Sequence, residues 1–170
     1  REGFDLVLRD HAHSQFCFGP DLPDRPTLFE MLAPAHEMRA LVTVRHPLDS
    51  YLSLLRKRWT QFSPATLPEY ARRYHAFLDR HAGIEVLRYE DFLADPQAGM
   101  QRICARLDLT YAPEFPDRFA AIRLSGDSGR RGDEIAIRPR RPVPEGLGRL
   151  TQSDPAYRDL CARLGYDPAA

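Results

Sequence analysis

The 170-residue sequence has little lysine and cysteine, no net charge and no long apolar segment. Its 24 basic and 24 acidic residues cancel, so composition gives no support for broad electrostatic binding to nucleic acid or anionic lipid. No stretch approaches the roughly 18 apolar residues of a membrane span, and the first residues are charged where a signal peptide has an apolar core. With 43% hydrophobic residues, we expect a single folded domain over residues 1–170.

The scarcity of cysteine and lysine also restricts the chemistry. Cys17, Cys104 and Cys161 form no Cys-x-x-Cys pair and lack the spacing of a zinc site, so we expect no metal and a reducing, cytoplasmic location. Lys57 is the single lysine, and every other basic residue is an arginine. Because a planar guanidinium binds phosphate or sulfate oxygens through paired hydrogen bonds, this composition favours an anion site.

Short apolar runs at residues 4–8, 40–44 and 84–88 have the length of β-strands. Segments with a helical pattern separate them, which is typical of a parallel sheet with crossover helices. The sequence therefore predicts an α/β fold with three layers and a mostly parallel sheet.

Helix signals occupy the intervals between and after these runs. Pro47 suits the first turn of a helix to about residue 59, and Thr66 with Glu69 predicts a capping box for a helix that ends before Gly83. Further helices are predicted from residue 95 to 107 and from 155 to Gly165. In the first of the four helices, apolar residues recur along one face: Leu48, Leu52, Leu55 and Trp59.

Polar residues follow each predicted strand directly: Arg9-Asp10-His11, Arg45-His46 and Arg88-Tyr89. Ligands of open parallel sheets bind beyond the carboxyl ends of the strands, so these groups mark a candidate site. Arg45 precedes a helix that begins at Pro47, whose N-terminal N–H groups and dipole favour an anion. Ser53 lies eight residues after Arg45, in a polar row with Asp49 and Lys57. An arginine paired with a neighbouring carboxylate, and a solvated serine, are the alternative interpretation.

Two irregular segments, residues 17–26 and 125–148, are rich in proline or glycine and are typical of functional loops. The window 123–141 contains six arginines and three acidic residues, which is also the pattern of an ordinary solvated loop. No aromatic residue lies among these arginines to stack on bases, so we expect no nucleic-acid partner.

The stretch from Arg45 to Ser53 resembles the strand and helix that bind the nucleotide 3'-phosphate in sulfotransferases dependent on 3'-phosphoadenosine 5'-phosphosulfate (PAPS). Residues 87–96 are similar to the next element of that family, which implies that Tyr89 lies near the adenosine. Residues 128–133 resemble the late loop that closes over the same phosphate, which implies binding roles for three residues: Arg130, Arg131 and Gly132. The resemblance implies a P-loop NTPase-like sulfotransferase fold. It also implies a sulfuryl donor, PAPS, a product, adenosine 3',5'-bisphosphate, and a small-molecule or glycan acceptor.

The same resemblance gives roles to the residues after the first predicted strand. His11 matches the family's catalytic histidine, so it would take the proton of the acceptor hydroxyl or amine. Arg9 stands where the family has a lysine and would stabilise the sulfuryl oxygens. Asp10 is an alternative base, because other branches of the family use a carboxylate, and His13 is a third candidate by its spacing.

The family's first strand and its 5'-phosphosulfate loop have no counterpart, since none of the ten glycines precedes serine or threonine. The resemblance thus begins part-way through the family. We therefore expect an amino-terminally truncated sulfotransferase-like domain that transfers sulfate poorly by itself. Two alternatives remain at this point: a non-catalytic module or pseudoenzyme that binds a 3'-phosphonucleotide, and a relative of the P-loop kinases or NTPases.

Overall fold

The computed structural model describes residues 6–11, 15–121 and 135–169, and over these residues it is a mixed α/β structure. Its strands are short: β1 Phe18–Gly19, β2 Leu41–Val44, β3 Gln61–Phe62 and β4 Glu85–Arg88. The helices are α1 Leu28–Leu32, α2 Pro47–Lys57, α3 Leu67–Arg80, α4 Tyr89–Ala94, α5 Pro96–Leu107, α6 Phe115–Ala121, α7 Glu145–Ser153 and α8 Pro155–Leu164. In this part of the chain, no helix has the length and apolar character that would let it cross a membrane.

The chain divides into two compact units, each built from more than one segment. The first contains Arg1–Met38, Pro47–Ala82 and Pro142–Ala170, and the second contains Arg39–His46 and Gly83–Arg141. Each unit has its own pair of parallel strands, β1 with β3 in the first and β2 with β4 in the second.

The second unit is organised around strands β2 and β4. They pair in parallel from Leu41 opposite Glu85 to Val44 opposite Arg88, and the side chains of Val44 and Leu87 are buried. Helix α5 packs on β2 and against α4. Two helices can approach closely only if a small residue lies between them, and Gly99 of α5 provides this against the ring of Phe92. The pairing of β2 with β4 and the packing of α5 on β2 thus determine where the chain leaves the two strands.

The first unit is organised around helix α3, which packs against α8 and α2. Its buried face includes Leu67, Tyr70 and Leu78, and α8 contributes Tyr157 and Leu160, neither of which has any exposed surface. Apolar burial of this kind is the main source of stability for both helices.

The helix boundaries follow the signals of the sequence. Asp95 accepts a hydrogen bond from the N–H of Ala98 at the start of α5, and Gly165 ends α8 with a left-handed φ of 72°. At α3, the Thr66 hydroxyl accepts the N–H of Glu69, but the carboxylate of Glu69 binds Arg72 and Arg73. A complete capping box occurs in the first helix, between Thr27 and Glu30 of α1, where none is predicted from the sequence.

Three expectations are wrong. Residues 6–8 form no strand, and Leu6 is 79% exposed, because an apolar run becomes a strand only where a partner strand accepts its hydrogen bonds. The described strands form two separate pairs, where we expect one larger sheet. On α2 the buried face includes Leu48, Tyr51 and Leu52, whereas Leu55 is exposed.

Candidate functional site

The candidate site in the second unit lies at the carboxyl ends of β2 and β4. Val44 and Arg88 are the last paired residues, so Arg45 and Tyr89 are the first residues beyond the two strands. The Cζ atom of Arg45 lies 5.7 Å from the centroid of the Tyr89 ring, within the range of a cation–π interaction. The Tyr89 side chain is 44% exposed, so much of its surface faces solvent. The structure thus brings together two of the residues that the sequence predicts for one site.

One residue after Arg45 and one after Tyr89, a second contact follows. The backbone N–H of His46 donates a hydrogen bond to Oε1 of Glu90, with a distance of 3.1 Å. The His46 side chain is buried, and Pro47, which has no N–H, begins α2 directly afterwards. Glu90 lies in the first turn of α4. The turn out of β2 is therefore held by the carboxylate of a residue that follows β4.

Arg88, the last residue of β4, forms an ion pair with Asp91. Its Nε and Nη2 atoms donate to the two carboxylate oxygens of Asp91, both at 2.8 Å. Because this bidentate pair joins two residues three positions apart, it links the end of β4 to α4. The ion pair between Arg88 and Asp91 thus orients the segment that contains Tyr89 and Glu90.

Ser53 belongs to the first unit, on helix α2, and it is half-buried like Asp49 and Lys57. These residues stand apart from the buried apolar face, as the sequence predicts. Lys57 is directed towards Trp59, with 4.9 Å between Nζ and the centre of a ring. Ser53 thus places a hydroxyl group on α2, the helix whose first turn follows Arg45 in the chain.

The remaining predicted residues have different placements. Arg9, Asp10 and His11 belong to the first unit, where they are exposed and lie outside helices and strands. His13 lies outside the described residues, as do the residues of the late loop: Arg130, Arg131 and Gly132.

The segment at residues 17–26 is organised by a side chain that sequence reasoning missed. Arg73 of α3 has no exposed surface, and its guanidinium donates hydrogen bonds to five backbone carbonyls at 2.8–3.3 Å: Phe16, Phe18, Gly19, Pro20 and Asp21. Its Nε donates to Glu69 at 2.6 Å. Burial raises the pKa of the neighbouring Cys17 thiol to about 12, and the Arg73 charge opposes this rise. Cys17 is thus a protonated side chain of the core.

Glu90 was also missed as a site residue, although a signal for it existed. It lies immediately after Tyr89, and the pairing of β2 with β4 puts it opposite His46. The register between two strands is not visible in the sequence of either one, so the sequence shows that Glu90 follows Tyr89 but does not identify its partner. Within the described ranges, no three His, Cys, Asp or Glu side chains gather in a way that could hold a metal ion.

These features define a mixed α/β protein with a candidate site at the carboxyl ends of parallel strands. The model of the family described as "Sulfotransferase family" matches residues 25–113, which is just over half of the chain. The chain therefore belongs to the sulfotransferase family, as the resemblance predicts. Neither a curated protein nor a solved structure matches it.

The matched segment divides the predicted site residues into two groups. Arg45, Ser53 and Tyr89 lie inside residues 25–113, and Glu90 does as well. The segment at residues 9–11 and the arginines of the late loop lie outside it. The family match thus covers the predicted donor-binding strand and helix, but neither the candidate bases nor the late loop.

Proposed function

We propose that this protein transfers a sulfuryl group from PAPS to a hydroxyl or amine of a small molecule or glycan, and releases adenosine 3',5'-bisphosphate. The contact between Arg45 and Tyr89 supports this proposal most directly. It joins a guanidinium and an aromatic ring at the carboxyl ends of two parallel strands, inside the segment that the family model matches. A phosphate beside an aromatic base is the ligand chemistry that suits this pair.

In the proposed complex, Arg45 and the hydroxyl of Ser53 bind the 3'-phosphate, and Tyr89 lies beside the adenosine. Arg130 and Arg131, with the N–H of Gly132, close over the same phosphate. Hydrogen bonds between a guanidinium and a phosphate are charge-assisted, so Arg45 carries the largest part of this recognition. We also infer that the fold has the three-layer, P-loop-like arrangement of the family.

The transfer itself is a displacement at sulfur. The acceptor oxygen or nitrogen forms a bond to the sulfur, while the bond from sulfur to the 5'-phosphate oxygen breaks and leaves its electron pair on the bisphosphate. His11 takes the proton of the acceptor, and Arg9 stabilises the charge on the sulfuryl oxygens. Asp10 and His13 are the alternative bases. We place this activity in the cytoplasm, because the three cysteines are buried thiols with no disulfide between them.

Calorimetric titration with adenosine 3',5'-bisphosphate tests the donor site, with 5'-AMP as the ligand that lacks the 3'-phosphate. We expect a preference for the bisphosphate, and we expect Arg45→Ala to weaken its binding by about tenfold or more, since a charge-assisted hydrogen bond contributes about 1.5–3 kcal/mol. The matched control is Arg118→Ala, which removes an exposed arginine of α6 that pairs with Glu114. Equal affinity for both nucleotides, or unaltered binding in Arg45→Ala, would contradict the proposal.

A further inference from the structure

We propose that Glu90 is a positioning residue of the donor site, and that its carboxylate fixes the turn of backbone that carries Arg45. The inference rests on the proposed function, because it assumes that Arg45 binds the 3'-phosphate. It adds a residue to which neither the sequence nor the family match gives a role. The observation behind it is the hydrogen bond from the N–H of His46 to Oε1 of Glu90.

The position of Glu90 follows from the way β4 ends. Strand β4 stops at Arg88 and helix α4 begins at Tyr89, so the backbone turns away from β2 just where β2 reaches Arg45 and His46. The N–H of His46 comes after the last paired residue of its strand. The carboxylate of Glu90 accepts this N–H at 3.1 Å, in place of a strand carbonyl.

This hydrogen bond immobilises Arg45 from one side, while the strand immobilises it from the other. Val44, the residue before Arg45, is buried and paired with Arg88. His46, the residue after it, has a buried side chain, a bound N–H and a proline as its successor. The Arg45 side chain lies over Tyr89. Tyr89 and Glu90, the two residues after β4, therefore contact Arg45 and His46, the two residues after β2.

Because Glu90 is negatively charged, its role in positioning Arg45 can be distinguished from electrostatic attraction of the phosphate. A carboxylate beside a site for phosphate repels the ligand. Its presence therefore weakens binding unless the carboxylate also holds the backbone of the site in place. Glutamine retains an oxygen that accepts the His46 N–H and removes the charge. Alanine removes both, and aspartate keeps the charge but withdraws the acceptor by one methylene group. Positioning therefore predicts that glutamine preserves binding and that the other two weaken it.

The experiment is calorimetric titration of the whole chain and its Glu90 variants with adenosine 3',5'-bisphosphate and with 5'-AMP. For the bisphosphate, we expect about tenfold weaker binding in Glu90→Ala and Glu90→Asp. For Glu90→Gln, we expect affinity within about threefold of the unaltered chain, or tighter. Binding of 5'-AMP should change little in every variant, because this ligand has no 3'-phosphate. Glu114→Ala is the matched control, since it removes a carboxylate of the same unit that pairs with Arg118.

The outcomes separate this inference from the proposed function. If the unaltered chain does not prefer the bisphosphate over 5'-AMP, the proposed function fails. If it shows that preference and Glu90→Ala keeps the same affinities, the positioning role alone is overturned. An equal loss for both nucleotides overturns it too, because that is the result of a general loss of structure. Should Glu90→Ala not fold, unaltered binding in Glu90→Asp, or a tenfold loss in Glu90→Gln, overturns the positioning role in its place.

Discussion

Arg73 and Glu69 form an ion pair one turn apart on α3, with 2.6 Å between Nε and Oε1 and with the arginine side chain completely buried. The other nitrogens of the guanidinium donate to the carbonyls of the segment that precedes α1, and Cζ lies 5.2 Å from the centroid of the Phe62 ring. A buried arginine is tolerated only when its charge and its donors are satisfied together. The segment at residues 16–21, which includes β1, thus depends on one side chain of a distant helix.

Replacement of Arg73 by methionine should destabilise the protein by about 3–5 kcal/mol, since five carbonyls and the Glu69 carboxylate lose a shared donor. Urea unfolding measures this change. Arg72→Met is the matched control, because Arg72 also binds Glu69 but is exposed, and its loss should amount to at most about 1 kcal/mol. Equal losses for the two variants would contradict the role assigned to Arg73. Arg73→Lys should recover only part of the stability, because an ammonium has three donors in another geometry.

Gly99→Ala should destabilise the second unit, although alanine is the better helix former. A Cβ atom at this position would lie 2.6 Å from Cδ2 of Phe92 and 3.2 Å from its Cα, so relief requires movement of the ring and of the α4 backbone. We expect a loss of about 1–3 kcal/mol in urea unfolding. Gln101→Ala, an exposed substitution on the same helix, should have little effect. Stabilisation by Gly99→Ala would show that α4 and α5 have room for a further methyl group between them.

The lowered pKa of Glu30 implies that the protein loses stability in acid. Hydrogen bonds from Arg80 and from the Thr27 backbone lower the pKa of Glu30 from 4.5 to about 2. A carboxylate with a lowered pKa in the folded state stabilises the protein above its unfolded pKa, and this contribution disappears as the pH falls through the folded value. The urea midpoint should therefore decline between about pH 4.5 and about pH 2. Glu30→Gln should be less stable at neutral pH, with a smaller decline over that range.

The matched control for the pH experiment is Glu145→Gln, which removes a carboxylate that pairs with Arg149 at the surface of α7. Its unfolding profile should follow that of the unaltered protein. If Glu30→Gln and the unaltered protein show the same decline with acid, Glu30 does not contribute to acid unfolding in the way proposed.

Cys17 should resist alkylation in the folded protein. With its pKa raised to about 12 by burial, a fraction on the order of 10⁻⁴ of the thiol is ionised near pH 8. Peptide-resolved labelling with iodoacetamide should therefore be slow in buffer and should become as fast as for an ordinary thiol in concentrated urea. Rapid labelling of Cys17 without denaturant would show that the segment around it opens readily.

The sequence predicted those elements whose determinants are local. Helices α2, α3, α5 and α8 have a proline or a capping residue at their start, and strands β2 and β4 are apolar runs of the expected length. Each of these signals acts within a few residues of the element itself. The same local reasoning extends to α1, because Thr27 and Glu30 have the spacing of a capping box.

The features that were not predicted depend on partners distant in the chain. Strands β1 and β3 have two residues each, which is too short for a periodic pattern, and they exist through their mutual pairing. Burial of Arg73 contradicts the expectation that arginine is exposed, and only the carbonyls of a remote segment explain it. At the site, sequence alone indicated that Arg45 and Tyr89 each follow a strand and lie at the same edge of a parallel sheet. The hydrogen bond to Glu90 required the register of those strands.

The pairing of Val44 with Arg88 also limits where residues can be inserted into the chain or deleted from it. Adding or deleting one residue within β4 would shift the register of its pairing with β2 by one position and move the start of α4 relative to the end of β2. Tyr89 and Glu90 would then no longer lie opposite Arg45 and His46, and both contacts would be lost. A residue added between α5 and α6 leaves this alignment intact. Homologues that retain the site should therefore differ in the lengths of such loops, with the strand lengths conserved.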